Sequence, residues 1–173
     1  MAANQFKIII DGDGGVGKSS FIKRFKTGEF DRRYIATLGV EVNVCNVNTN
    51  CGQVAFNIWD CAGQERFGGL RDGYYVGANA AIIMVDQSCQ LSYQRVPMIL
   101  QDILRICPNI PVLLCANKID LNPPLRFNGT HTRRIAIRNR LDYTLISVKR
   151  NSNLDAPFQY LLRKLINEHC TFQ

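Results

Sequence analysis

The sequence predicts a mostly parallel α/β sheet with helices on both faces, and three observations carry that prediction. Short apolar runs have the length of strands covered on both sides, apolar residues between them repeat at helical spacing, and a glycine-rich turn joins the first run to a basic helix. Residues 6–10 form the first strand, and the helix after the glycines sets Phe21, Ile22 and Phe25 on one side. Residues 40–47 and 54–59 alternate around Asn48-Thr49-Asn50-Cys51-Gly52, whose turn-forming types predict a hairpin. Residues 80–85 and 111–115 are apolar throughout, as buried parallel strands are. Val96, Ile99, Leu100, Ile103, Leu104 and Cys107 share one helical face, and Phe158, Leu161, Leu162, Leu165 and Ile166 share another.

Bulk properties narrow the function. At 173 residues a single domain over 1–173 is expected, near the size at which one core buries roughly 70% of the unfolded surface. A hydrophobic share of 46% with 20% charged residues excludes a disordered chain. The longest apolar run, Ala80-Ala81-Ile82-Ile83-Met84-Val85, falls far short of the ~20 residues that span a bilayer, and the N-terminus lacks the pattern of a secretory signal. Seven cysteines, at 45, 51, 61, 89, 107, 115 and 170, include no C-x-x-C pair, so they read as reduced thiols in a cytosolic or nuclear compartment. The net charge of +7 suits an acidic protein partner; without an interleaved pattern of stacking aromatics, direct nucleic-acid binding is not expected.

Gly12-Asp13-Gly14-Gly15-Val16-Gly17-Lys18-Ser19 fits G-x-x-x-x-G-K-[ST] between a predicted strand and a predicted helix, the context that pattern requires. With glycine near 7% of residues, a chance match has a probability below about 1%. The glycines let successive N–H groups turn inward on an anion, the helix N-terminus adds partial positive charge, Lys18 reaches the β- and γ-phosphates, and Ser19 holds Mg²⁺. Asp60-Cys61-Ala62-Gly63-Gln64-Glu65 directly follows a strand, so Asp60 can lie beside the metal while Gly63 offers an N–H to the γ-phosphate. Asn117-Lys118-Ile119-Asp120 places a carboxylate where it can accept the N1–H and N2–H of guanine, donors that adenine lacks in that arrangement. Because a buried carboxylate left unpaired is costly, such a site rejects the wrong base by about 10⁴-fold or more. The expected ligands are GTP or GDP with Mg²⁺.

In this order the motifs resemble those of the Ras superfamily of small GTPases over nearly the whole chain. The resemblance implies the P-loop small G domain, a mostly parallel six-stranded sheet, in a monomeric protein. Thr27-Gly28-Glu29-Phe30, Tyr34-Ile35-Ala36-Thr37-Leu38-Gly39-Val40-Glu41-Val42 and Phe67-Gly68-Gly69-Leu70-Arg71-Asp72-Gly73-Tyr74-Tyr75 resemble the Ran branch in particular. Rab-like members share Gly39-Val40 and the tyrosine pair but not the full strings. Carried over by position, Thr37 contacts Mg²⁺ and the γ-phosphate, Phe30 meets the base edge and Gln64 orients the attacking water. Gln64, Lys18 and Thr37 are therefore the candidate catalytic residues. Ser19, Thr37 and, through water, Asp60 are the metal set. Asp13, Gly14, Gly15, Val16, Gly17, Lys18, Ser19, Ser20, Tyr34, Gly63, Asn117, Lys118 and Asp120 join Phe30 and Thr37 at the nucleotide. Ser147-Val148-Lys149 stands where the family has Ser-Ala-Lys over the guanine; the contact expected of Val148 is its backbone N–H, so the change is modest. The activity implied is GTP hydrolysis, on the order of 10⁻⁴ s⁻¹ without an added arginine. An activating protein, an exchange factor, importin-type transport receptors and a place in nucleus and cytoplasm follow from the same resemblance.

Several residues depart from that pattern. Asp11 ends the first strand where an apolar residue is usual, and its carboxylate would repel phosphates unless turned away or paired. A solvated or paired side chain is the leading expectation, weakened nucleotide affinity the alternative. Ran-branch proteins continue beyond the position of Gln173 with a linker, a helix and an acidic tail, so partners that embrace the tail are in doubt here. Arg133, Arg134, Arg138 and Arg140 form a basic run; it reads as a solvated helix face or, functionally, as a contact for an acidic protein. Cys170-Thr171-Phe172-Gln173 formally fits C-a-a-X, yet no dense polybasic segment precedes it and one lipid anchors weakly, so membrane anchoring is not expected. The rival readings are a prenylated, Rab-like trafficking switch and a non-hydrolysing binding module, and retention of Lys18, Ser19, Thr37, Gly63 and Gln64 argues against the latter.

Overall fold

A computed structural model describes residues 4–63, 68–121 and 129–173. Among them six strands run β1 (Asn4–Gly12), β2 (Val40–Thr49), β3 (Gly52–Cys61), β4 (Ala80–Asp86), β5 (Val112–Asn117) and β6 (Asp142–Leu145). They form one sheet in the order β2-β3-β1-β4-β5-β6, in which only the β2–β3 pair is antiparallel. The helices are α1 (Lys18–Thr27), α2 (Gly68–Tyr75), α3 (Gln90–Gln94), α4 (Val96–Ile106), α5 (Gly129–Asn139) and α6 (Asp155–Leu165).

Strand periodicity divides the core in two. Ile8, Ile10, Phe56, Ile58, Ile82 and Met84 point to one face and pack with Phe21 and Ile22 of α1 and with Phe158, Leu161 and Leu162 of α6. Ile9, Ile83, Val85 and Leu114 point to the other, against Tyr75 of α2, Val96, Ile99 and Ile103 of α4 and Ala136 of α5. Phe158 is the hub of the first face: its ring lies 5.3 Å from both Phe21 and Phe56 and 4.2 Å from Phe25. The expected helices on both faces of the sheet are therefore present.

The β2–β3 turn is tighter than the five-residue stretch the sequence suggests, with only Asn50 and Cys51 between the strands. β6 escapes sequence reading because its four residues, Asp-Tyr-Thr-Leu, are half-exposed and too few to show a period. After α6 the chain returns to the hairpin, where Phe172 bridges Thr49 and the Asn50 carboxamide holds His169 O at 2.9 Å and Thr171 N at 2.9 Å. Cys170, the residue on which lipid transfer would depend, is wholly buried by this return. No helix among the described residues is long and apolar enough to cross a membrane.

Parallel strands β1, β4 and β5 end on the same side, at Gly12, Asp86 and Asn117, and the loops that leave them build the site.

Candidate functional site

The phosphate loop is shaped by what a side chain would hit. A Cβ on Gly12 would collide with the Met84 carbonyl of β4, and one on Gly17 with the Asn117 carboxamide; both glycines also have positive φ, +149° and +102°. α1 starts directly after Gly17, so its free N–H groups face the loop. Lys18 Nζ donates to the carbonyls of Gly12 and Asp13, each at 2.9 Å. Burial lowers the Lys18 pKa, opposed by the charges of Asp11 and Asp60.

Beside this loop Ser19, Thr37 and Asp60 converge. Ser19 Oγ lies 2.8 Å from Thr37 Oγ1 and also bonds to the Asp60 carboxylate. The other carboxylate oxygen, Asp60 Oδ1, is buried with no partner. Burial raises the Asp60 pKa, while the Ser19 hydrogen bond and the Lys18 charge act against the rise. Two hydroxyls and a carboxylate with spare coordinating capacity fit a hard divalent cation such as Mg²⁺, which keeps several waters and takes few protein ligands.

At the base end, Asn117 braces two loops: its Nδ2 donates to Val16 O at 2.9 Å and its Oδ1 accepts from Val148 N at 3.1 Å. Lys118 Nζ reaches Gly15 O at 2.8 Å and Asp86 Oδ2 at 2.7 Å. Ser147 Oγ donates to Asp120 Oδ1 at 2.5 Å, which fixes the carboxylate expected to meet the base. A cavity of about 370 Å³ joins the two ends, and its lining includes Gly14, Gly15, Gly17, Lys18, Ser19, Ser20, Phe30, Tyr34, Thr37, Gly63, Asn117, Lys118, Asp120, Val148 and Lys149.

The structure adds detail at four of the expected residues. The Val148 N–H expected to meet the base is engaged by Asn117. Ser147 stands behind Asp120 and does not line the cavity. Val16 is buried in the α1–α6 core, so only its backbone faces the loop. Asp13 points its side chain away from the cavity, toward Arg95. Gln64, the expected water-orienting residue, lies outside the described residues.

Asp11 is fully buried and paired, which removes the expectation of weakened phosphate binding by a loose charge. Both its oxygens meet Arg71 of α2, the Tyr75 hydroxyl donates to one of them, and Gly12 N donates to the other at 2.6 Å. Burial works against the charge on Arg71, but Asp11 outweighs it and raises the guanidinium pKa. Burial likewise raises the Tyr75 hydroxyl, with Asp11 adding to the rise.

Sequence reading missed Arg71 as the partner of Asp11 and missed Arg95 altogether. Arg71 stands within a quoted motif, but nothing in the chain announces that α2 will deliver it to β1. Arg95 is a single arginine between two short helices, without pattern or repeat.

Residues 7–167 match the family described as the Ras family. The match runs from within β1 past the end of α6 and takes in every loop of the site described above. Members of this family bind GTP or GDP with Mg²⁺ and act as switches set by exchange factors and activating proteins. The chain belongs to the Ras family of small GTPases.

Proposed function

We propose that this protein is a GTP-binding, GTP-hydrolysing switch of the Ran type, a single-domain monomer that binds importin-type transport receptors when GTP-loaded and works in nucleus and cytoplasm. The observation that carries the GTPase part is the convergence of Ser19, Thr37 and the half-satisfied Asp60 beside the Lys18 loop, with Asp120 held by Ser147 at the other end of one cavity. The Ran-type strings at 27–30, 34–42 and 67–75 support the transport part.

Each residue has a physical task in this reading. Lys18 supplies a buried positive charge at the phosphates, and the α1 N-terminus adds its free N–H groups. Ser19, Thr37 and, through water, Asp60 would hold Mg²⁺, which when bound would supply charge neutralisation at the phosphates. Gly63 offers its N–H to the terminal phosphate, and Gln64 orients the water. Asp120 selects guanine by accepting its two ring-edge protons. Tyr34, Ile35 and Leu38, on the segment that carries Thr37, are exposed, Leu38 by 90%, and present an apolar face to a receptor that reads the bound nucleotide.

Gentle denaturation of the purified protein should release guanine nucleotide; adenylates or nothing would refute the reading. Single-turnover hydrolysis with and without a Ran-type activating protein tests the enzyme. Capture of an importin-type receptor by the GTP-loaded but not the GDP-loaded form tests the transport role.

A further inference from the structure

Arg95 sits between α3 and α4, beside the nucleotide cavity but not in its lining. Its Nη1 donates to Asp13 Oδ1 at 2.5 Å and to the Gly63 carbonyl at 3.1 Å. Asp13 belongs to the phosphate loop, and Gly63 closes the turn that follows Asp60 at the end of β3. One guanidinium nitrogen therefore ties the loop to the segment that senses the γ-phosphate.

Two physical consequences follow. The Arg95 bond to the Gly63 carbonyl fixes that residue's backbone beside the loop. Gly63 is already pressed on the loop: a Cβ there would collide with Gly14 N and with the Asp13 carbonyl group, so the close approach depends on glycine. The Arg95 bonds hold that approach from outside. Arg95 also offsets the negative charge of Asp13, which would otherwise stand on the loop that receives a triphosphate. With 27% of its side chain exposed, Arg95 is neither a buried structural pair nor a free surface charge.

We propose that Arg95 is a positioning residue for GTP hydrolysis, clamping Gly63 against the phosphate loop so that the Gly63 N–H meets the terminal phosphate from a fixed place. It lines the adjoining cavity with Asp13, Gly63 and Ser92 and is absent from the lining of the nucleotide cavity, so its action passes through Gly63 and Asp13. The inference rests on the GTPase reading given above.

The test is single-turnover hydrolysis by preloaded full-length protein, with GTP and GDP dissociation rates and the melting temperature measured on the same preparations. Arg95→Ala is expected to slow hydrolysis about tenfold or more, the scale on which small misplacements act, while nucleotide dissociation changes by less than about threefold. Arg95→Lys keeps a charge with a shorter donor reach and should recover part of the rate. Asp13→Asn leaves the Gly63 bond intact, so its loss should be smaller and not additive with Arg95→Ala. Hydrolysis by Arg95→Ala at the parent rate overturns the proposal, as does a rate loss matched by equally faster GTP release. Should Arg95→Ala fail to fold, an unchanged rate in both Arg95→Lys and Asp13→Asn overturns it. A parent that binds GTP but never hydrolyses it removes the GTPase reading and this inference together; a hydrolysing parent with an unaffected variant removes this inference alone.

Discussion

Asp11 and Asp60 stand one position apart on neighbouring strands, where Ile10 of β1 is in register with Asp60 of β3, yet they project to opposite faces of the sheet. Both are almost wholly buried. On the α2 side Asp11 is saturated by Arg71, Tyr75 and Gly12 N. On the α1 side Asp60 receives one hydrogen bond from Ser19 and leaves Oδ1 empty. A satisfied buried carboxylate acts as an internal fastening, whereas an unsatisfied one holds binding capacity in reserve. Residue type and depth are the same; the unmet hydrogen-bonding capacity separates structure from function.

The largest test of that contrast is Asp11→Ala. It leaves the Arg71 guanidinium buried without its partner, and stability should fall by about 3–5 kcal/mol in denaturant titration. Replacing the whole cluster, Asp11→Val with Arg71→Met and Tyr75→Phe, should recover most of the loss, because no uncompensated charge remains. A mild effect of Asp11→Ala would mean that Asp11 is not the fastening it looks like. Asp60→Ala should do the reverse. Mg²⁺ affinity of the nucleotide complex, measured by titration, should fall by about 10–100-fold, the range seen when groups that support a metal are lost. The melting temperature of the nucleotide-free protein should hold or rise, since a poorly satisfied buried charge is gone.

How far the sequence reached follows the same division. The loop from Gly12 to Ser19, the Asp60–Gly63 turn and the Asn117–Asp120 turn are legible because their chemistry requires fixed residue types at short spacing next to a strand end. Asp11 was visible as an anomaly, but its partners lie 60 and 64 positions away and only the packing of α2 on β1 delivers them. The partners of Ser147, Val148 and Asp13 within the protein were not legible, because each is a side-chain or backbone pairing between distant segments that spacing does not encode. β6 was missed for want of length, and Arg95 for want of any pattern.

Acid offers a graded version of the Asp60 test. Burial raises the Asp60 pKa, so between the ordinary aspartate pKa and this higher one the folded state binds more protons than the unfolded state. The contribution of this group to folding therefore improves as pH falls through that window and declines as pH rises through it. Metal binding runs the other way, because the protonated carboxyl is a poor ligand. Lowering the pH into the window should weaken Mg²⁺ binding toward, but not beyond, the Asp60→Ala level, and Asp60→Asn should abolish this dependence. A parallel pH response in the Asn variant would assign it to another group.

Asp120 provides the intermediate case and the smallest effect. It is half-buried, with Oδ1 held by Ser147 and its place in the cavity wall shared with Lys118 and Leu121. Ser147→Ala removes that bond and the acceptor for Arg150 N, but leaves the Asp120 carboxylate and its charge in place. Guanine recognition should weaken by about 0.5–1.5 kcal/mol, the net worth of one ordinary hydrogen bond, and GDP dissociation should quicken a few-fold. Asp120→Ala should cost far more, because it deletes the acceptor itself. If both variants lost affinity equally, Ser147 would be a direct contact of the base after all; if Ser147→Ala changed nothing, Asp120 would need no bracing, and the order from saturated Asp11 through braced Asp120 to open Asp60 would lose its middle member.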